Sequence, residues 1–149
     1  MNISIICIGK LKESFWKDAC SEYLKRMSRF AKMEIIELAE SKSDDIDEES
    51  AEILAHIPKS SYVIALDVGG KSLSSEAFAE KISTLAIDGT SHISFVIGGS
   101  NGYNDSVRKA ADFRLSFSDF TFPHQLMRVV LLEQIYRAYK INAGEKYHK

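Results

Sequence analysis

The apolar residues of this chain alternate between short runs and helical periods. The short runs are typical of buried strands, and they cover residues 3–8, 33–38, 62–68, 93–97 and 114–117. Between them, helical spacing or helix-start residues predict helices over residues 15–30, from the acidic run 44–52 to Pro58, from Ser74 onward, and over residues 104–111 and 124–141. The order of elements is therefore strand and helix in regular alternation.

Polar and glycine residues punctuate this pattern. We interpret residues 44–52 as a loop that enters a helix, with its acids near the helix N-terminus, where the dipole favours them. Gly69 and Gly70 are expected to stop the third strand, and Gly98 and Gly99 the fourth. Ser74 is a predicted helix cap, and Asn104 or Asp105 is another.

This alternation predicts an α/β fold with a mostly parallel sheet and helices on both faces. The 149 residues favour one domain, 1–149, and the apolar share of 45% is ordinary for a globular protein. No apolar run approaches the roughly 20 residues of a membrane helix, and the start of the chain lacks the basic region of a signal peptide. We expect a cytoplasmic protein without a membrane partner, with Cys7 and Cys20 as packed thiols.

Charge is segregated along the chain, although the net charge is only −2. Residues 1–33 hold seven Lys and Arg against three acids, residues 34–52 hold nine acids against one Lys, and residues 108–149 hold eight basic residues against four acids. Basic faces at both ends could meet phosphate, whereas solvated helix faces are the simpler interpretation.

Two loops at strand ends are the best candidates for a binding site. Residues 98–102 form a glycine loop after the fourth strand, and residues 117–128 follow the fifth. The glycine loop is neither a Walker A loop nor a GxGxxG motif, and tight turning alone could explain it. Because the carboxyl ends of parallel strands share one edge, the two loops could form a small-molecule pocket built from backbone. Asp67 beside Gly69 could cap or bind.

No motif indicates a metal site or a catalytic triad. The four histidines lie far apart with no cysteine partner, so no metal site is predicted, and no Ser/His/Asp set can be assigned.

The last helix is apolar on more than one face, which suggests a partner subunit. Its charged residues must then be exposed, paired or lining a site, and they are Arg128, Glu133, Arg137 and Lys140.

Several segments together resemble the ribosomal RNA large subunit methyltransferase H family, a small member of the SPOUT class. They span the whole chain and comprise Ile8–Lys12, Leu66-Asp67 with Gly70-Lys71, Ser74-Ser75-Glu76, Phe95–Gly99 with Gly102, Leu115-Ser116, Thr121–Gln125, Arg128, Leu132–Ala138 and Tyr147-His148-Lys149. Two positions depart from the family pattern: Lys146 stands where proline is common, and Tyr103 stands where an aliphatic residue is usual.

The resemblance implies a function, a fold and an assembly. It implies methylation of N3 of a pseudouridine in 23S rRNA of the assembled ribosome, with S-adenosylmethionine as donor and no metal. It also implies a C-terminal trefoil knot, a feature that general topological rules would exclude. A homodimer is implied as well, with each site completed by the partner, which agrees with the apolar last helix.

The resemblance also assigns residues. Donor-binding positions are Leu66, Gly98, Gly99, Ser118, Asp119, Phe120, Thr121, Phe122 and Pro123. The Tyr147-His148 pair resembles the family tail that reaches toward the active site and the RNA. Because N3 must lose its proton, a base or a stabilising cation is expected there, and the catalytic candidates are Glu133, Arg137, Tyr147, His148 and Lys149, with Arg137 or the tail favoured for the cationic role. The charge pattern, and not the resemblance, supplies the rRNA-binding candidates, because the basic ends of the chain should hold rRNA phosphates: Lys10, Lys12, Lys25, Arg26, Arg29 and Lys149.

Three alternatives stay open at this point. A related knotted methyltransferase acting on tRNA or another RNA would bind the same donor. A ribosome-binding factor without activity could keep the same fold. A nucleotide-binding α/β protein is the third, and the missing Walker lysine and GxGxxG motif argue against it.

Overall fold

The computed structural model describes all 149 residues as a regular succession of strands and helices. The elements are β1 (Asn2–Ile8), α1 (Ser14–Met27), β2 (Lys32–Leu38), α2 (Ile46–His56), β3 (Tyr62–Ser72), α3 (Ser75–Ile87), β4 (His92–Ile97), α4 (Asp105–Ala110), β5 (Phe113–Ser116) and α5 (His124–Asn142). The strands form one sheet in the order β2-β1-β4-β3-β5, and every pair is parallel. The predicted parallel α/β sheet is confirmed.

The sheet is covered by helices on both faces, as predicted. Alternate side chains of β1 point to opposite faces, so Ile3 and Ile5 join one apolar cluster and Ile6 and Ile8 the other. The first cluster contains residues of α1, α3 and α5, and the second contains Ile53 of α2 and Val107 of α4. On the first face, α5 packs against both α1 and α3. The trefoil knot stays a prediction from the family resemblance.

The acidic segment differs from the prediction, because most of it is helical. Asp45 is the N-cap of α2, and its side chain accepts hydrogen bonds from the backbone N–H groups of Asp47 (2.9 Å) and Glu48 (3.3 Å). The predicted loop over residues 46–52 is therefore wrong. Acids in the first turn suit the positive end of the helix dipole, so the run that suggested a loop stabilises the helix start.

The third strand also differs, because β3 continues through Gly69 and Gly70 to Ser72. Its register against β5 shifts between Leu66 and Lys71, which marks an irregularity in the strand pair. A Cβ atom on Gly70 would lie 2.6 Å from the carbonyl oxygen of Arg114. The glycine permits close approach of two strands, and the prediction that it ends the strand is wrong.

Other boundaries agree with the sequence. Ser74 caps α3 by accepting from the N–H of Ala77, and Asn104 rather than Asp105 caps α4. Cys7 and Cys20 are free and buried. None of the helices combines the length and the apolar character needed to cross a membrane.

Candidate functional site

A cavity of about 600 Å³ lies at the carboxyl ends of β4 and β5, beside the middle of β3. This donor cavity, as we name it for the predicted ligand, is lined by Leu66, Asp67, Val68, Ile97, Gly98, Gly99, Ser100, Gly102, Tyr103, Leu115, Phe117, Ser118, Phe120, Thr121, Phe122, Pro123, His124 and Met127. Its volume falls in the range of about 300–1,000 Å³ that small-molecule sites occupy. It therefore lies where the sequence places the pocket.

Most of the predicted donor-binding residues line this cavity. Of the nine, Asp119 alone is absent from the lining. The segments singled out from the sequence include Ile97 and Met127, whereas sequence reasoning did not assign Val68, Tyr103 or Leu115 to the cavity. Val68 and Leu115 lie within two residues of positions that were singled out, so proximity could have found them. Tyr103 carried a different signal, as a departure from the family pattern.

The glycine loop forms one wall through its backbone. The N–H of Gly102 donates to the carbonyl of Gly99 (2.9 Å), and the φ of Gly102 is +77°. A Cβ on Gly98 would come within 2.7 Å of the carbonyl carbon of Gly102, which is an overlap. The loop folds this tightly only without a side chain at Gly98, and it leaves backbone polar groups near the cavity.

Tyr103 connects this loop to the middle of β3. Its side chain is buried, and its hydroxyl donates to the carbonyl oxygen of Leu66 at 2.7 Å. Burial, and after it the charge of Asp67, raises the pKa of Tyr103, so the phenol stays protonated and keeps donating. Tyr103 thus connects two walls of the cavity through one hydrogen bond.

Asp67 serves a structural role on the cavity wall. One carboxylate oxygen accepts from the N–H of Gly69 (2.9 Å), and the other lies 3.3 Å from both Arg108 and Arg114. Burial acts to raise the pKa of Asp67, but the Gly69 N–H and the two guanidinium groups bring it below its ordinary value. The ionised Asp67 side chain thus stabilises the backbone at Gly69 and pairs with two arginines, in agreement with the capping interpretation.

Four of the catalytic candidates meet in a second place, which we call the tail cluster: Glu133, Arg137, Tyr147 and His148. Arg137 Nη2 lies 2.5 Å from Glu133 Oε1, and its Nε donates to the same oxygen at 3.0 Å. The Tyr147 hydroxyl donates to Glu133 at 3.2 Å, and His148 Nδ1 lies 3.1 Å from Arg137 Nη1. The tail thus folds back onto α5.

The carboxylate of Glu133 is saturated with donors in this cluster. Besides Arg137 and Tyr147, the side-chain amide of Gln134 donates to it at 2.9 Å. Burial, followed by the charge of Glu133, raises the pKa of Tyr147 to about 12. Both groups therefore hold Arg137 in place, and neither is arranged to remove a proton from a substrate.

The tail cluster lies at a distance from the donor cavity of its own chain. Met127 lines the cavity, and Arg137 follows ten residues later on α5, which corresponds to about 15 Å along the helix. No residue of the tail cluster lines the cavity. One chain holds both halves of the predicted site but does not bring them together.

The predicted rRNA-binding residues also separate. Lys10 and Lys12 precede α1, whereas Lys25, Arg26 and Arg29 lie at its other end, about 20 Å away along the helix. Arg26 is paired with Glu22 at 3.2 Å, and Arg29 forms a two-pronged contact with Glu145 of the tail. Lys149 ends the tail. The basic set is not a single patch, and two of its members have internal partners.

No group of three or more His, Cys, Asp or Glu side chains is placed to hold a metal ion.

Comparison with known proteins identifies one family. A family model described as a predicted SPOUT methyltransferase matches residues 1–148. The chain belongs to the SPOUT methyltransferase family.

Relatives within this SPOUT family are similar over their whole length. A protein of Clostridium novyi named ribosomal RNA large subunit methyltransferase H is 55% identical, and one of the same name from Bifidobacterium adolescentis is 52% identical. A Methanococcus maripaludis protein carrying that name as putative is 49% identical. Each alignment covers 100% of this chain and 100% of the relative.

Solved structures show the same SPOUT fold at low identity. A probable methylase family protein from Haemophilus influenzae aligns with a TM-score of 0.59 at 13% identity, covering 99% of this chain and 70% of that one. The tRNA (m1G37) methyltransferase of Aquifex aeolicus aligns with a TM-score of 0.57 at 14% identity, covering 92% of this chain and 70% of that one. The shared feature is the fold.

Proposed function

We propose that this SPOUT protein transfers a methyl group from S-adenosylmethionine to N3 of a pseudouridine in 23S rRNA of the assembled ribosome. The observation that carries the proposal is the donor cavity, walled by a side-chain-free loop, in a chain 49–55% identical to enzymes named for large-subunit rRNA methylation. The donor is a flat purine nucleoside with a sulfonium centre. Backbone groups can read its adenine edge, and the apolar walls can enclose the rest.

The chemistry is an in-line displacement. The lone pair of N3 forms the new N–C bond, the C–S bond breaks, and the sulfur leaves with the bonding electrons as a neutral thioether. The N3 proton passes to solvent before or during attack. Alignment of nitrogen, methyl carbon and sulfur is the main contribution of the protein, since orientation alone can lower such barriers by several kcal/mol.

Arg137 is our candidate for stabilising the imide anion. A guanidinium has five N–H donors, and three of them bind Glu133 and His148 here. One N–H on each terminal nitrogen remains free, and the side chain is 25% exposed. Two adjacent donors suit the carbonyl oxygens that flank N3 and gain negative charge when its proton leaves.

We propose that each site is completed by a second copy of the chain. The tail cluster lies about 15 Å along α5 from the donor cavity, too far to contact a base beside the donor in the same protomer. The half-buried apolar residues Leu126, Val129 and Val130 leave a face of α5 that a partner could cover. In the dimer, the tail cluster of one protomer faces the donor cavity of the other.

Lysines around α1 and the tail are proposed to hold rRNA phosphates. Lys10, Lys12, Lys25 and Lys149 have no side-chain ion pair, so they remain free to do so. Arg26 and Arg29 are weaker candidates than the sequence suggests, because their guanidinium groups already bind Glu22 and Glu145.

The test is methyl transfer with the purified protein. We would incubate it with methyl-labelled S-adenosylmethionine and ribosomes from a strain lacking the activity, then locate the label. We expect one labelled pseudouridine in 23S rRNA. Label on tRNA would instead favour the alternative of a tRNA enzyme, and donor binding absent together with methylation would favour a ribosome-binding factor.

Arg137→Ala tests the cationic role in the same assay. Loss of one preorganised donor to a developing anion costs about 10²–10³ in rate, so we expect a drop of that size in single-turnover methylation. Lys146→Ala removes a cation from the same tail without a side-chain partner and serves as the control. Equal rates for the two variants would contradict the assignment.

A further inference from the structure

Glu76 lies outside every site assigned so far, yet it contacts the tail cluster. It belongs to the first turn of α3, and its Oε1 lies 2.5 Å from Nε2 of His148. On the other side of the same imidazole ring, Nδ1 lies 3.1 Å from Nη1 of Arg137. His148 therefore bridges a carboxylate on α3 and a guanidinium on α5.

The identity of the two neighbours fixes the proton on the ring. A guanidinium is only a donor, so Nδ1 must accept from Arg137 and can carry no hydrogen. A carboxylate is only an acceptor, so Nε2 must carry the hydrogen and donate it to Glu76. Both ring nitrogens are engaged, and His148 in this arrangement links two residues and has no free site for a substrate proton.

We propose that Glu76 is a positioning residue for methyl transfer, which holds His148 in the Nε2–H tautomer so that Nδ1 fixes one arm of Arg137. This inference rests on the proposed function, in which Arg137 faces the acceptor base. Without the carboxylate, the ring can turn over or change tautomer, and Nδ1–H would then oppose the guanidinium. Arg137 is then held by Glu133 alone, and its Nη1 loses the acceptor that fixes that arm.

Glu76 acts on the tail and contributes little packing. Its side chain is 64% exposed, and its charge near the start of α3 favours the helix through the dipole. Glu76→Gln and Glu76→Ala both remove that charge. They differ in the acceptor, because the amide oxygen of Gln can still receive the Nε2 hydrogen.

The experiment compares Glu76→Ala, Glu76→Gln and Glu80→Gln, the last on an exposed residue one turn later in α3 with no side-chain partner. Single-turnover methylation and donor affinity are measured for each variant. We expect Glu76→Ala to be about tenfold slower, because a small misplacement near the reacting atoms can cost up to about 100-fold. Glu76→Gln should keep most of the rate, and donor affinity should not change in any variant.

The second readout is independent of the reaction. Nitrogen NMR of the labelled imidazoles distinguishes the two tautomers, with His148→Ala identifying the signal. We expect the Nε2–H form in wild type and Glu76→Gln, and a mixture in Glu76→Ala. An unchanged tautomer in Glu76→Ala overturns the proposal even if no RNA is methylated, which separates its failure from that of the proposed function.

The kinetic arm can overturn it as well. A Glu76→Gln rate as low as that of Glu76→Ala would show that charge or helix stability matters and the hydrogen bond does not. A Glu76→Ala rate equal to that of Glu80→Gln would show that the link has no part in methyl transfer.

Discussion

Arg128 is the largest side chain that the fold buries completely. Its Nη1 lies 2.7 Å from a carboxylate oxygen of Glu37, and its Nη2 donates to the carbonyl of Gly9 at 3.0 Å, while Nε has no partner. These contacts tie α5 to the carboxyl ends of β1 and β2. The sequence left Arg128 as exposed, paired or lining a site, and the structure shows that it is paired.

Glu37→Ala should destabilise the protein strongly, because it leaves a buried guanidinium without its counter-charge. Arg128 is buried whereas the Glu37 side chain is 34% exposed, so we expect the free energy of unfolding to fall by about 1–3 kcal/mol, the cost of leaving a buried polar group without its partner. Urea denaturation measures it. Glu34→Ala, an exposed residue of the same strand, is the control. A Glu37→Ala protein within about 0.5 kcal/mol of the control, the usual surface effect, would contradict this view of Arg128.

At the scale of elements, the C-terminal tail behaves as a docked segment. Glu145 binds Arg29 of the α1–β2 connection and Lys140 of α5, and Tyr147 packs edge-on against Tyr136 with ring centres 4.9 Å apart. These contacts, with those of His148, hold the tail cluster together. Arg29 thus binds the tail, and its contact with RNA stays a prediction.

The docked tail should loosen in acid. The hydrogen bond from Arg29, and then that from Lys140, lowers the pKa of Glu145 from 4.5 to about 2. A carboxylate with a lowered pKa stabilises the docked state fully above its ordinary pKa, and the effect is lost as pH falls toward the lower value. Between pH 4.5 and 2, NMR signals of Tyr147 and His148 should therefore move toward those of a free tail.

Glu145→Gln is the matched variant for this titration. It should show a partly released tail already at pH 7 and no tail transition linked to residue 145 below pH 4.5. Backbone signals of β1 report whether the whole fold survives in acid. A tail that is as well docked in the variant as in wild type would contradict the role of Glu145.

The glycine loop yields a prediction about the donor. Gly98→Ala places a Cβ against the backbone of Gly102, so the loop must shift, at a cost of about 1–3 kcal/mol. Calorimetry should show donor affinity weakened by roughly tenfold or more. Gly89→Ala is the control, since it strains a positive φ of +95° in open space after α3. Equal affinities in both variants would mean that this wall does not touch the donor.

The sequence predicts elements well where periodicity is local. The period of two in the strands and the caps at Ser74 and Asn104 are local signals, and they place most boundaries. The passage of β3 through Gly69 and Gly70 depends on the nearby backbone of Arg114, which no local pattern shows. The same contrast holds for the site, because contiguous loops reveal the donor cavity, whereas the contacts of Glu76, Arg29 and Tyr103 join distant segments.

At the scale of the whole molecule, the separation of donor cavity and tail cluster predicts complementation in a dimer. Gly98→Ala should damage the cavity, and Arg137→Ala should damage the tail cluster. Neither homodimer therefore contains an intact site. A mixed dimer would regain one site, made from the intact cavity of one protomer and the intact cluster of the other. Coexpression of both variants should give about a quarter of the wild-type activity, since half of the randomly paired dimers carry one site of two.

Methylation assays on the coexpressed and the separately purified variants provide the measurement. Light scattering of the wild type provides the control, and we expect the mass of a dimer, twice 16.7 kDa. Activity of the coexpressed mixture no higher than that of the separate variants would show that both halves of a site belong to one chain.

The order of the strands has a consequence for how the chain is made. β1 leaves the ribosome well before its neighbour β4, which comes some 90 residues later, and α5, which completes one cover, follows β4. At about 5–20 residues per second, synthesis from β1 to the end of α5 takes roughly 7–27 seconds. For that time an apolar strand stays incompletely paired or incompletely covered, and contacts so distant in sequence form slowly. We therefore expect the nascent chain to depend on chaperones that shield Ile3–Ile8 until α5 has been made.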